Sequence, residues 1–447
     1  MMHGTEGMVV TLLTALALGV AAFHIGRKTN ISYVPLFIIF GIIFGPIAGI
    51  LSRQMSCTLF NYVRVFGLLM ILFAEGHTLK WCLLKKHIVT IGTLDTLSLV
   101  ITAIIAGFFF SAIFHVPFLA GFLYGAIISA TDPATLIPLF HQHKVREDIR
   151  TILVTESIFN DPLGIVLTSV AVALVLPQAP SARFIETLSK YMNIPAAATV
   201  YFLYEVAVSI ILGIVIGYFG YWMIRKLGFY ESTEEVVIFS VVLALLGFFI
   251  GESLRASGYL VATTTGIILG NHHAFFKETG RIWGKMRGAI DTEQHFNERL
   301  ALFAIVLIFV LLGATVNLKV LLSTIWQAIA IALAVVFIAR PVAALPIKKL
   351  GKWTWGEYLF MSLEGPRGVV PSALAALPLT LGLTFHSKTL IYWGELILST
   401  TLVTILLSII LETLWLPFLR RKLLKDTGEE GGEEEASEEA EETAPQE

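Results

Sequence analysis

Apolar runs of about twenty residues recur along this 447-residue chain, and their length limits its fold more than any other feature does. A soluble core helix rarely sustains such a run beyond about a dozen residues, whereas a hydrocarbon layer about 30 Å thick asks for about 20. The runs lie near 8–26, 31–51, 60–79, 88–113, 117–140, 149–177, 198–224, 234–251, 256–271, 300–316, 320–345, 356–381 and 389–416. They predict about thirteen membrane spans, the ninth diluted by Thr263, Thr264 and Thr265. In lipid each segment has to satisfy its own backbone N–H and C=O groups, so runs of this length predict helices rather than barrel strands. The expected class is an all-α polytopic membrane protein. Hydrophobic residues are 56% and charged residues 14% of the chain, a balance that excludes a water-soluble globule of this size.

The net charge of −2 hides a division. Residues 426–447 hold eleven acids and no Lys or Arg, so the rest of the chain carries +9. That tail has nothing to bury and is expected to be disordered in the cytoplasm, without a transport role. Between the spans, twenty-one Lys and Arg fall on the side of the C terminus and seven on the other. Cytoplasmic loops are the richer in these residues, which predicts an N terminus outside and a C terminus inside the cell membrane. The run from Met8 to Gly26 is followed, not preceded, by its basic pair Arg27 and Lys28, so it reads as a retained span rather than a cleaved leader. Cys57 and Cys82 are expected on opposite sides of the membrane, too far apart for a disulfide.

Two spans are interrupted near their middles. The fifth contains Ser129-Ala130-Thr131-Asp132-Pro133-Ala134-Thr135 and the twelfth Glu364-Gly365-Pro366-Arg367-Gly368. They stand seven spans apart, an odd offset, so the two halves that contain them are expected to be inverted repeats. Paired broken helices in corresponding places point to a transporter with its site at mid-membrane.

Proline removes a helical hydrogen bond and disfavours helix in the residue before it, so Thr131-Asp132-Pro133 should free carbonyls beside a carboxylate. The sixth span adds Glu156-Ser157-Ile158-Phe159-Asn160-Asp161, in which Ser157 and Asp161 share a helix face. A Thr131 carbonyl, the Ser157 hydroxyl and the Asp161 carboxylate would suit a small hard cation such as sodium if the two spans cross. Sodium and a proton would then compete for Asp161, and such competition is an exchange mechanism. Asp132 is a further ligand or a structural hydrogen-bonding group, and Glu75 in the third span is a ligand or a structural partner. Glu156 lies on a different face from Asp161 and is expected to neutralise Arg340. Arg367 screens helix-end dipoles or pairs with Glu364. Glycines 41, 45 and 49 line one face of the second span and suggest close packing, within one subunit or, the favoured reading, between two. Histidines 141, 143, 272, 273 and 295 lie in or beside loops, where solvation is expected.

These motifs resemble the monovalent cation/proton antiporter family, specifically its NhaP-like sodium/proton antiporters. The resemblance covers about residues 8–416 and rests on Thr131-Asp132-Pro133, Glu156 to Asp161, Gly365-Pro366-Arg367-Gly368 and Gly270-Asn271. It implies a thirteen-span NhaA-like fold, a homodimer, and a mobile core carrying the ion past a stationary dimerisation domain. The core is placed near 88–177 and 320–416, and the dimerisation helices near 8–79 and 198–316. It implies that Asp161 binds the ion, with Thr131, Asp132, Ser157 and Glu75 around it. Asn160 before the acid implies electroneutral exchange, since an amide takes up no second proton. No cofactor is expected, and no nucleic-acid partner. Two rival readings remain at this point. An intramembrane aspartyl protease would pair Asp132 with Asp161 but lacks the usual Gly-x-Gly-Asp signature, and a cation channel would need a continuous filter.

Overall fold

The computed structural model describes residues 4–29, 32–179, 181–276, 281–350 and 353–424, so the acidic tail lies outside the described residues. Among them, nine helices are long and apolar enough to cross a membrane and four shorter apolar helices accompany these. In chain order the principal helices are α1 (Thr5–Thr29), α2 (Tyr33–Ile47), α3 (Arg53–Thr78), α4 (Leu84–Phe114), α5 (Phe118–Ile128), α6 (Pro133–Gln142), α7 (Glu147–Val175) and α8 (Ile194–Leu227). They continue as α9 (Thr233–Ser253), α10 (Gly258–Gly270), α11 (Arg281–Thr315), α12 (Ile325–Lys349), α13 (Trp355–Leu363), α14 (Val369–Thr384) and α15 (Lys388–Leu423). With α5–α6 and α13–α14 each counted as one interrupted helix, they correspond one to one with the apolar runs of the sequence.

Local chemistry explains several boundaries. At the start of α8 the Asn193 side chain accepts the Ala196 N–H at 3.0 Å, with Pro195 in the first turn, where its missing N–H costs nothing. The helix ends at Gly228, whose φ of +74° suits glycine best. Thr354 and Glu357 form a reciprocal capping box at the start of α13. The helices that precede the two interruptions are themselves irregular: α4 contains a π turn at Leu94–Ser98 and α12 one at Val335–Ala339. These turns also lie seven spans apart. A further π turn, Ile43–Ile47, closes α2.

Packing divides the helices into two sets. In the first, α3 lies along both α11 and α10, α10 along α8 and α9, and α2 along α11. In the second, α4 lies along α5, α5 along α7, α12 along α15, and α14 along α15. Glycine allows the closest approaches in the first set. A Cβ on Gly41 would sit 2.1 Å from the Val310 carbonyl oxygen, and one on Gly313 2.3 Å from that of Ile38. The glycines of α2 therefore seat it on α11 of the same chain, which corrects the expectation that they face a second subunit; Gly49 has nothing against it. A second seam joins α3 to α10, where Gly266 meets the Phe73 carbonyl and Gly270 that of His77. His272, expected in water, is buried there, with its Nδ1 3.1 Å from the Leu269 carbonyl.

Candidate ion-binding site

The two interruptions, 129–132 and 364–368, cross each other in contact. Each break leaves one helix end short of acceptors and another short of donors, and in lipid these groups need partners from elsewhere in the protein. The Asp132 N–H donates to the Pro366 carbonyl at 2.9 Å. The Asp132 carboxylate serves the start of two half-helices at once. One oxygen accepts the Thr135 N–H at 2.9 Å and the Thr135 hydroxyl at the head of α6, and the other accepts the Val369 N–H at 3.4 Å at the head of α14. A negative group is favoured at both positions by the aligned peptide dipoles. Gly368 permits this approach, since a Cβ there would fall 2.1 Å from the Asp132 Cγ.

Arg367 does the converse job. Its Nη1 donates to the carbonyls of Ser129 at 2.7 Å and Ala130 at 3.0 Å, the free carbonyl end of α5, and its side chain is fully enclosed. Of the two roles open to Arg367 in the sequence, these contacts are those of a helix-end partner. Glu364 instead lies near Glu412, whose Oε1 accepts the Gly365 N–H at 3.1 Å.

Helix α7 runs beside the crossing and meets it through side chains on two successive turns, Ser157 and Asn160. The Thr131 N–H donates to the Asn160 Oδ1 at 3.0 Å, and the Asn160 Nδ2 donates to the Thr131 hydroxyl at 2.8 Å. The Thr131 and Ser157 hydroxyls lie 2.9 Å apart. Glu156 points away from Asp161 and forms a two-pronged ion pair with Arg340, at 2.6 and 2.7 Å, both side chains buried. Asp161 differs from all of these. Its side chain is 1% exposed, yet neither carboxylate oxygen has a hydrogen-bond partner. Glu75 of α3 is within electrostatic reach, partly buried, with its Oε2 also unpartnered. The crossing thus assembles Thr131, Asp132, Ser157, Asn160 and Arg367, with Asp161 and Glu75, on different helices, within electrostatic reach of one another.

A cavity of about 570 Å³ opens on the side where α1 ends and α6 ends, lined by Phe23, His24, Arg27, Tyr33, Thr135 and Leu139. It reaches the crossing at Thr135, the residue that donates to Asp132.

Three further buried acids, two of them beside the site, were not singled out by the sequence. Asp95, in the π turn of α4, lies near the Glu156–Arg340 pair with its Oδ1 unpartnered. Glu412 stands behind the second break, and Glu205 of α8 is 4% exposed. All lie inside apolar runs, and an acid in such a run is by default functional, so the signal was present.

Sequence and fold have close counterparts. The model for the family described as "Sodium/hydrogen exchanger, transmembrane" matches residues 12–422. Two proteins of Methanocaldococcus jannaschii are similar along most of their length: the "Probable Na(+)/H(+) antiporter 2", 33% identical over 91% of this chain and 95% of its own, and the "Na(+)/H(+) antiporter 1", 32% identical over 92% and 94%. The solved structure of the sodium proton antiporter MjNhaP1 from the same organism at pH 8 superposes with a TM-score of 0.81 at 31% identity, covering 94% of this chain and 99% of that one. The protease and channel readings find no support, and the Asp132 carboxylate is engaged with helix N–H groups rather than with Asp161. The chain is a multi-pass membrane protein that belongs to the transmembrane sodium/hydrogen exchanger family, a secondary active transporter and not an enzyme.

Proposed function

We propose that this protein exchanges Na+ for H+ by alternating access, with Asp161 as the carboxylate for which the two ions compete. The observation that carries this reading is the state of Asp161: enclosed, with both oxygens unpartnered, one helical turn from the Ser157 hydroxyl. A buried carboxylate without a counter-charge is costly, so binding either a proton or a metal cation relieves it. Ser157 and Thr131 supply neutral oxygens for sodium, and Glu75 stands across from Asp161 as a second carboxylate. Asp132 and Arg367 hold the crossing together electrostatically rather than carrying the ion.

Asn160 keeps the exchange at one sodium per proton, because the position that could carry a second titrating group holds an amide engaged with Thr131. The Glu156–Arg340 pair cancels its own charge in both states. The set of helices around the crossing moves as the core, and the glycine-seamed set stays fixed and forms the contact of a homodimer in the lipid bilayer. The Lys- and Arg-rich side is cytoplasmic, so the cavity at Thr135 is an inward-facing entrance.

The test is sodium-driven proton movement in liposomes containing the purified protein, wild type against Asp161→Asn. The expected result is sodium-dependent proton flux in the wild type and none in the variant. A wild type without flux, or a variant with full flux, overturns the proposal.

A further inference from the structure

On the far side of Asp161 from the inward cavity lies a second buried carboxylate with no assigned task. Glu205 sits in the fourth turn of α8, 4% exposed, and its Oε2 has no hydrogen-bond partner. Two hydroxyls stand beside its carboxyl, Tyr201 from its own helix and Ser169 from α7. The Ser209 hydroxyl, one turn on, donates to the Glu205 carbonyl at 2.6 Å and accepts the Ser257 N–H at 2.8 Å, which ties α8 to the start of α10. The charged group that acts on it is Glu252 of α9; Glu252 in turn lies within reach of Tyr259 of α10, and Tyr259 of Arg64 of α3, whose enclosed Nε has no partner.

Ser169 and Asp161 belong to one i, i+4, i+8 ridge of α7, which packs on α8. Eight residues at about 1.5 Å each put Ser169 about 12 Å outward of Asp161 along that ridge. If α7 moves outward against α8, Ile165 and then Asp161 come opposite the position that Ser169 holds now. Glu75 and Glu205 thus stand at the two ends of the path of Asp161, both on the helices taken as stationary, and both with an unpartnered carboxylate oxygen.

We propose that Glu205, with the Tyr201 and Ser169 hydroxyls, forms a second, outward site for the same monovalent cation, at which ions are handed between the outer solution and Asp161. This rests on the exchange reading above. Glu205 alternates there between a proton and the cation, as Asp161 does at the crossing, and in the outward state it takes the place that Glu75 has in the inward one.

The decisive experiment measures the sodium concentration for half-maximal exchange separately from each face of liposomes holding oriented protein, comparing wild type with Glu205→Gln. The expected result is a rise of about tenfold at the outer face, a change under twofold at the inner face, and partial recovery in Glu205→Asp. Equal changes at both faces, or none, overturn the proposal while leaving exchange through Asp161 standing; absence of exchange in the wild type removes both. Should Glu205→Gln fail to fold, labelling of wild-type Glu205 by a hydrophobic carbodiimide, read by mass spectrometry, decides the matter. Protection by sodium and not by choline supports the site, and labelling indifferent to sodium refutes it.

Discussion

The seam between α2 and α11 and the crossing of the two broken helices are both places where backbones come closer than ordinary side chains allow, and they bury that backbone in opposite ways. At the seam, Gly41 and Gly313 remove side chains from continuous stretches of helix, so the backbones approach without a break and the surfaces interlock. At the crossing the helices are broken, and the groups set free are satisfied by side chains, several of them from the opposite break: the Asp132 carboxylate on the Val369 N–H as well as on that of Thr135, the Arg367 guanidinium on the Ser129 and Ala130 carbonyls. A seam of the first kind has one good arrangement and suits a part that stays still. The second kind gathers polar oxygens at mid-membrane beside Asp161, neither of whose carboxylate oxygens has a hydrogen-bond partner.

Four substitutions sharpen or break that contrast. The largest effect is expected for Asp161→Asn: sodium-driven proton flux should fall at least about 100-fold, while the melting temperature stays within a few degrees, since the removed charge has no partner to strand. Retained flux would place the ion elsewhere and dissolve the distinction between the two regions. Next comes Glu156→Gln, which leaves the Arg340 guanidinium buried without its counter-charge; a loss of about 3–5 kcal/mol is expected by denaturant unfolding in detergent. The double variant Glu156→Gln with Arg340→Met should recover part of it, and no recovery would mean that the pair has a role besides mutual neutralisation.

A smaller effect is expected at the seam itself. Gly313→Val forces a side chain against the Ile38 carbonyl and should destabilise the protein by about 1–3 kcal/mol. The half-saturating sodium concentration of the folded fraction should not change, because no ion ligand lies there; a shift in it would show the seam to be part of the moving machinery. Smallest in stability is Asn160→Asp, which removes the amide donor to Thr131 and is expected to cost about 1 kcal/mol. Its informative readout is electrical: exchange that is indifferent to membrane voltage in the wild type should become voltage-sensitive in the variant. Voltage dependence already present in the wild type would contradict one-for-one exchange.

Much of this fold was legible in the run lengths, because lipid leaves a chain so few ways to satisfy its backbone. The two breaks were legible for a related reason: the proline and glycine in Thr131-Asp132-Pro133 and Gly365-Pro366-Arg367-Gly368 weaken a helix, although Asp161-Pro162 shows that such a step can also lie within one. The candidate ligands were visible as polar residues where none should be. Partnerships were not. For residues 41 and 45 the favoured reading, a contact between two subunits, is wrong, since a small-residue face says only that something comes close. Asp95, Glu205 and Glu412 were visible as acids in apolar runs, but only their neighbours from other helices distinguish an acid with a counter-charge from one without.

What the sequence determined by itself is therefore whatever depends on short range and on the solvent: that the chain lives in lipid, about how many spans it has, where two of them fail, and which residues carry charge into the bilayer. What the tertiary structure decided is how those charges are matched. Glu156 and Asp161 are five residues apart on one helix and chemically near-identical, yet one is pinned to Arg340 and the other is left without a partner. A buried carboxylate takes its role from whichever donor or cation another helix brings to within about 3 Å of it, and that encounter is set by packing over hundreds of residues of separation.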